Sequence, residues 1–220
     1  MSQEIIIKAL NILIDWNGTI TKEEATFDKL VNPFLDIQKY RHEDIQHSYR
    51  SDNLDEKYYP EILKHLFFSD SVLAPYAVDV INKHLGKESN NSPSQTFVIH
   101  DNTPDFGNET LFNMASGFET IGLNVNGIYI ESDKIKLAKN IGADIVIEDD
   151  PRMAVALCLA GIKCILMLKQ WNRFFSINNL SLSMREDKVE KVKSNLSIAE
   201  DWLDVNMILK SYITKKNLSI

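Results

Sequence analysis

Cysteine, long apolar runs and an excess of basic charge are all scarce in this chain, and each shortage removes a class of protein. Two cysteines occur among 220 residues, Cys158 and Cys164, both inside an apolar stretch, which excludes a disulfide framework and a zinc knuckle. No run approaches the roughly 18 apolar residues of a membrane-spanning helix. The opening residues, MSQEIIIKALNILIDWNG, carry Glu4 and Asp15 and lack a long apolar core, so they do not read as a signal peptide. Lys and Arg number 24 against 31 Asp and Glu, a formal net charge of −7, which argues against nucleic acid as the main partner. No internal repeat is visible. With 44% hydrophobic and 25% charged residues the chain has the balance of an ordinary globular protein. At this length it buries roughly 70% of its unfolded surface without help from disulfides or metals. The expectation is a soluble, cytoplasmic protein of one domain with an insertion.

Five short runs rich in Ile and Val punctuate the chain: residues 12–15 (ILID), 96–100 (TFVIH), 127–130 (GIYI), 144–148 (DIVIE) and 163–168 (KCILML). They are continuous rather than alternating, as strands buried on both faces of a parallel sheet are. Between them lie stretches of helical period. Residues 73–85 carry Val78, Ile81 and Leu85, and residues 108–121 carry Leu111, Phe112, Ala115 and Phe118. Residues 135–141 follow, then 151–160 with Pro151 suited to a first helical turn, and a last helix over 198–212 with Trp202, Val205 and Leu209 on one side. Strand alternating with helix predicts an α/β fold with a doubly wound parallel sheet. Residues 21–70 break the rhythm: they hold Tyr40, His42, His47, Tyr49, Tyr58, Tyr59 and His65 and no strand-like run. They read as a small helical cap inserted after the first strand, with residues 1–20 and 71–220 forming the core. Residues 86–95 have loop composition, and residues 178–195 read as a polar surface connection containing a helical piece.

Ligand sites in such sheets gather at the carboxyl ends of the strands. The first strand ends in Asp15-Trp16-Asn17-Gly18-Thr19, the second in His100-Asp101-Asn102-Thr103, and the fourth in Glu148-Asp149-Asp150. If the first and fourth strands are neighbours, Asp15 and the acidic triplet converge. Carboxylates forced together repel, and a hard cation with oxygen ligands, such as Mg²⁺, relieves that repulsion. The triplet also suits the cap of the helix beginning at Pro151.

The stretch Ile14-Asp15-Trp16-Asn17-Gly18-Thr19 resembles the first motif of the haloacid-dehalogenase superfamily of aspartyl-phosphate hydrolases. Asp133-Lys134, the run ADIVIEDDP over residues 143–151, Ala160-Gly161-Ile162-Lys163 and Trp171-Asn172-Arg173 resemble its later motifs. This second half is similar to the bacterial branch grouped with the 5′(3′)-deoxyribonucleotidases. The resemblance implies that Asp15 is the nucleophile, taking a phosphoryl group from a small phosphomonoester such as a nucleoside monophosphate. It implies that Lys134 neutralises charge between Asp15 and the phosphate. It also implies that Asp15, Asp149 and the main-chain carbonyl of Asn17 hold Mg²⁺. Glu148 and Asp150 are both candidates for supporting that metal, because the register of the triplet is ambiguous. Gly18, Thr19, His100 and Asp101 are the candidate substrate contacts, and the inserted segment implies a cap that closes over the site.

Two positions depart from the family pattern. A second Asp, acting as general acid and base, is expected two residues after the nucleophile, and Asn17 stands there; an amide does not exchange protons at neutral pH. The Ser or Thr expected at the end of the second strand is replaced by His100, which either donates to phosphate or is bonded to a loop. These departures leave open a second class of function, a catalytically weakened or inactive phosphatase fold kept as a binding or regulatory module. Cys158 and Cys164 read as packed core thiols.

Overall fold

The computed structural model describes residues 10–21, 73–85, 94–100, 107–169, 172–180 and 184–217. The five apolar runs become β1 (Asn11–Asp15), β2 (Gln95–His100), β3 (Gly127–Ile130), β4 (Ile145–Glu148) and β5 (Lys163–Met167). A sixth strand, β6 (Leu196–Ala199), completes one sheet of order β3-β2-β1-β4-β5-β6 in which every pair is parallel. The helices are α1 (Ala77–Leu85), α2 (Gly107–Thr120), α3 (Lys134–Asn140), α4 (Pro151–Leu159), the short α5 (Ile177–Leu180), α6 (Glu186–Asn195) and α7 (Trp202–Asn217). Among the described residues no helix is long and apolar enough to cross a membrane.

Strand side chains alternate between two apolar layers, as the period of two requires. Ile12, Ile14, Val98, Ile145, Ile147, Ile165 and Met167 pack with Val80 and Ile81 of α1, Met114 and Phe118 of α2, and Trp202, Val205 and Leu209 of α7. Leu13, Ile99, Val146, Cys164 and Leu166 pack on the other face with Leu137 of α3, Leu157 and Cys158 of α4, and Val192 of α6. Both faces of the central strands are thus covered, which explains why their sequences are continuously apolar. The strand order reverses between β1 and β4: from β1 the chain winds outward through β2 and β3, then returns to β4 and winds the other way. In sheets of this kind the switch point, here between the carboxyl ends of β1 and β4, is where ligands bind.

A single π-turn (Trp16–Ile20) follows β1, closed by the Thr21 N–H donating to the Trp16 carbonyl at 3.3 Å. Thr21 then forms an antiparallel bridge with Leu73, and the Ala74 N–H donates to the Ile20 carbonyl at 2.8 Å. The residues between Thr21 and Leu73 therefore leave and rejoin the core at one place, just beyond the end of β1. The expected cap over residues 21–70 lies, but for Thr21 itself, outside the described residues.

Two expectations need correction. Residues 196–199 are a strand, not part of a helix beginning at 198. This four-residue edge strand follows α6 without a turn, buries Leu196 and Ala199 and leaves Ile198 exposed, so it lacks the continuous apolar run of the interior strands. The last helix starts at Trp202, because the Asp201 carboxylate accepts the N–H groups of Leu203 and Asp204 at 2.7 and 3.0 Å and caps it there.

Both cysteines are buried and free. Burial pushes the Cys158 thiol up from 9.0 to about 11, and Cys164 well above 9.0. An exposed thiol in the unfolded chain loses its proton first, so as pH rises from about 9 to about 11 the unfolded state binds fewer protons and folding stability falls. Denaturant titrations across that range should show this fall, and Cys158→Ala should show a smaller one. Near pH 8 the native thiols should resist a thiol reagent that labels them on unfolding.

Candidate active site

The alternation that sorts the core also sorts the acids. Asp15 ends β1 in register with the Leu13 face, and Glu148 ends β4 in register with the Val146 face, so both carboxylates emerge on the side covered by α3. Helix α3 begins at Lys134, and Asp133 before it accepts the Lys136 N–H at 2.9 Å as the N-cap. This cap sets where the first helical side chain points. The Lys134 ammonium donates to Asp15 Oδ1 at 2.9 Å and to Glu148 Oε2 at 3.0 Å. All three side chains are 6% exposed or less. Ion pairs so deeply buried lose hydration and recover it only through close geometry of this kind.

Asp149 joins them from the turn between β4 and α4. Ligand oxygens of Asp15, Glu148 and Asp149 all lie within 4.8 Å of one another. The Asp149 carboxylate packs against Gly18, whose φ is +68° and where a Cβ would collide with the Asp149 side chain. Glycine is required there both for its backbone conformation and for the space it leaves. The remaining oxygen of Glu148, Oε1, accepts the N–H groups of Asp149 and Asp150 at 3.2 and 3.1 Å. Glu148 is therefore engaged at both oxygens and orients Lys134 and the turn.

Asp150 is not part of this group. Its carboxylate accepts the Arg152 N–H at 2.8 Å as the N-cap of α4, and pairs with the Arg152 guanidinium at 3.2 Å. That pairing raises the guanidinium pKa. Of the acidic triplet, read as either a helix cap or a metal site, Asp150 is the residue that caps α4. His100 is buried at the end of β2, one residue beyond Ile99, the register partner of Asp15. Alternation turns it to the face of Val98, opposite Asp15, and it is not a member of the carboxylate group. Asn17 enters the π-turn through its main chain. Thr19 lies in the same turn, its carbonyl held by the Trp202 indole N–H at 3.0 Å. Its hydroxyl is buried with no hydrogen-bond partner. Asp101 and Trp171 lie outside the described residues.

The donor set fits a hard divalent cation. Three carboxylates and one ammonium sum to −2 when ionised, all ligand atoms are oxygen, and a dication balances that charge. Asp15 and Asp149, both members of this group, are the residues that would hold it.

No protein-family model and no curated protein matches this sequence. Solved structures do match its fold. A haloacid dehalogenase-like protein of unknown function from Agrobacterium tumefaciens superposes with a TM-score of 0.52 at 12% identity, over 93% of this chain and 99% of that one. The L-2-haloacid dehalogenase of Xanthobacter autotrophicus, solved with chloropropionic acid covalently bound, gives 0.56 at 9% identity over 92% and 99%. The α/β core thus has the haloacid-dehalogenase fold, and its structural neighbours are haloacid dehalogenase-like hydrolases.

Two residues matter to the geometry through contacts that the sequence does not show, although Asn172 belongs to the Trp171-Asn172-Arg173 stretch that resembles a later motif. Asn172 bonds the Asp149 carbonyl, and Trp202 bonds the Thr19 carbonyl from 183 positions away. Trp202 read as a core residue, which it also is.

Lys134→Met should remove about 3–5 kcal/mol of stability, because it leaves two buried carboxylates without their cation. Asp150→Ala should cost only about 1 kcal/mol, the worth of a helix cap. Urea unfolding of the two variants measures both; equal losses would contradict the separation of the triplet into a site pair and a cap.

Proposed function

We propose that this protein is a Mg²⁺-dependent phosphohydrolase acting through an aspartyl phosphate on a small phosphomonoester. The observation that carries the reading is the buried Lys134 bridging Asp15 and Glu148, with the Asp149 carboxylate close by. A lysine that holds a carboxylate in fixed orientation at a topological switch point prepares it for attack and has charge ready for an incoming phosphate. The covalent adduct on the Xanthobacter enzyme supports covalent chemistry on this fold. The similarity of residues 143–173 to the deoxyribonucleotidase branch supports a nucleoside monophosphate as the substrate.

In this mechanism an Asp15 oxygen forms a bond to phosphorus as the ester P–O bond breaks, and the alcohol oxygen leaves taking a proton from solvent. Water then attacks phosphorus and gives a proton back to solvent, the acyl-phosphate P–O bond breaks, and the Asp15 carboxylate returns with release of inorganic phosphate. Lys134 offsets charge as phosphate approaches Asp15. Gly18 and Thr19 in the π-turn are the assigned phosphate contacts; His100, which faces the other side of the sheet from Asp15, and Asp101, which follows it in the chain, are secondary candidates. Mg²⁺, held by Asp15, Asp149 and the carbonyl of Asn17, would neutralise charge on the transferring group. Residues 21–70 are assigned to a cap, a reading supported by the bridge that pins both ends of the insertion beside β1.

Asn17 favours a second reading, a binding or regulatory module, because the amide supplies no proton to the leaving oxygen. A phosphatase assay with Mg²⁺ over a panel of phosphorylated metabolites separates the two. Under the first reading Asp15→Asn abolishes turnover, and Asn17→Asp raises it on the order of 10²-fold for alkyl phosphates. The gain should be smaller for an aryl phosphate, whose leaving group needs less protonation. If parent and Asn17→Asp are both inert on every phosphomonoester, the binding module replaces the enzyme.

A further inference from the structure

Asn172 lies just beyond β5, in a loop at the carboxyl edge of the sheet, and the residue is 4% exposed. Its amide bonds the main chain in three places. Nδ2 donates to the Asp149 carbonyl at 2.7 Å and to the Met167 carbonyl at 2.9 Å, and Oδ1 accepts the Lys169 N–H at 2.6 Å. Both amide hydrogens and the oxygen are therefore engaged. The amide ties the end of β5 to the turn after β4, one residue beyond the last pair of the β4–β5 ladder, Glu148 with Leu166.

The consequence falls on Asp149. This residue sits between the last residue of β4 and the cap of α4, outside both elements. Its N–H donates to the Glu148 carboxylate and its carbonyl accepts from Asn172, so side chains hold both ends of its backbone. Rotation of either peptide would swing the carboxylate away from Gly18 and Asp15. Glu148, itself bound to Lys134, holds the N–H side, and Asn172 holds the carbonyl side.

We infer that Asn172 is a positioning residue for a divalent cation at Asp15 and Asp149: its amide fixes the Asp149 peptide so that the carboxylate stays within reach of Asp15. The inference rests on the proposed function in one respect, the presence of that cation. Outer contacts of this kind change metal affinity by about 10–100-fold when removed.

The test is Mn²⁺ binding without substrate, followed by electron paramagnetic resonance of the free ion, well below the melting temperature of each variant. Parent, Asn172→Ala, Asn172→Ser and Asp149→Asn are compared, with circular dichroism to establish folding. Asn172→Ala should weaken Mn²⁺ binding about 10-fold or more while remaining folded. Asn172→Ser, which keeps one donor, should fall between Ala and parent. A merely structural role would lower melting temperature and leave the affinity of the folded protein unchanged. Folded Asn172 variants within about twofold of the parent, alongside a weakened Asp149→Asn, overturn the inference and leave the proposed function standing. A parent that binds no Mn²⁺, or an Asp149→Asn that binds as the parent does, overturns the cation site and the inference together. If Asn172→Ala does not fold, Asn172→Ser decides by the same criterion. If neither folds, Asn172 is a structural residue and the inference is wrong.

Discussion

The interaction on which the rest of this molecule depends is the buried ammonium of Lys134 held between Asp15 and Glu148. Three charged side chains taken out of water cost several kcal/mol each before their mutual attraction is counted. That cost is offset only if the donor sits within about 3 Å of both acceptors, and each distance is set by a different part of the fold. Adjacency of β1 and β4 brings the two acids together, their shared strand parity turns both to one face, and the Asp133 cap starts α3 where its first side chain meets them. A shift of one residue in either strand would send an acid into the apolar layer beneath α1, α2 and α7.

Around this triad the structure controls Asp149 by different means. Glu148, the residue before it, bonds its N–H, Asn172 bonds its carbonyl, and the bare backbone of Gly18 gives its carboxylate room. The π-turn that contains Gly18 is itself secured by Trp202 from the last helix. Elements from both faces of the sheet and from widely spaced parts of the chain thus meet at the end of β1. π-Turns are uncommon and concentrate at functional sites. Here the turn also directs the chain out into the insertion and receives it back through the Thr21–Leu73 bridge. Whatever the inserted residues do, their two ends are anchored next to the nucleophile candidate.

Most of the fold was legible because the interior strands are buried on both faces, and that leaves continuous runs such as Ile145-Val146-Ile147 that no other element explains well. The edge strand was not, since β6 buries only its two end residues, exposes Ile198 between them and follows a charged helix without a break. The chemistry at the ends of β1 and β4 was legible as an accumulation of acids, and Lys134 through its resemblance to a motif. The division of labour within Glu148-Asp149-Asp150 was not, because three adjacent carboxylates look alike until the strand ends and the helix begins. Geometry then assigns Glu148 to the lysine, Asp149 to the carboxylate group and Asp150 to the cap.

By itself, the order of apolar runs and helical periods determined an α/β sheet with acids at two strand ends, since periodicity and burial are local properties of the chain. Tertiary structure alone decided which acids meet, because that depends on the strand order at the switch point and on the face each strand presents. It also decided that Asn172 and Trp202 serve the site. Their hydrogen bonds join residues 23 and 183 positions apart, and no local pattern in a chain encodes a contact across that separation.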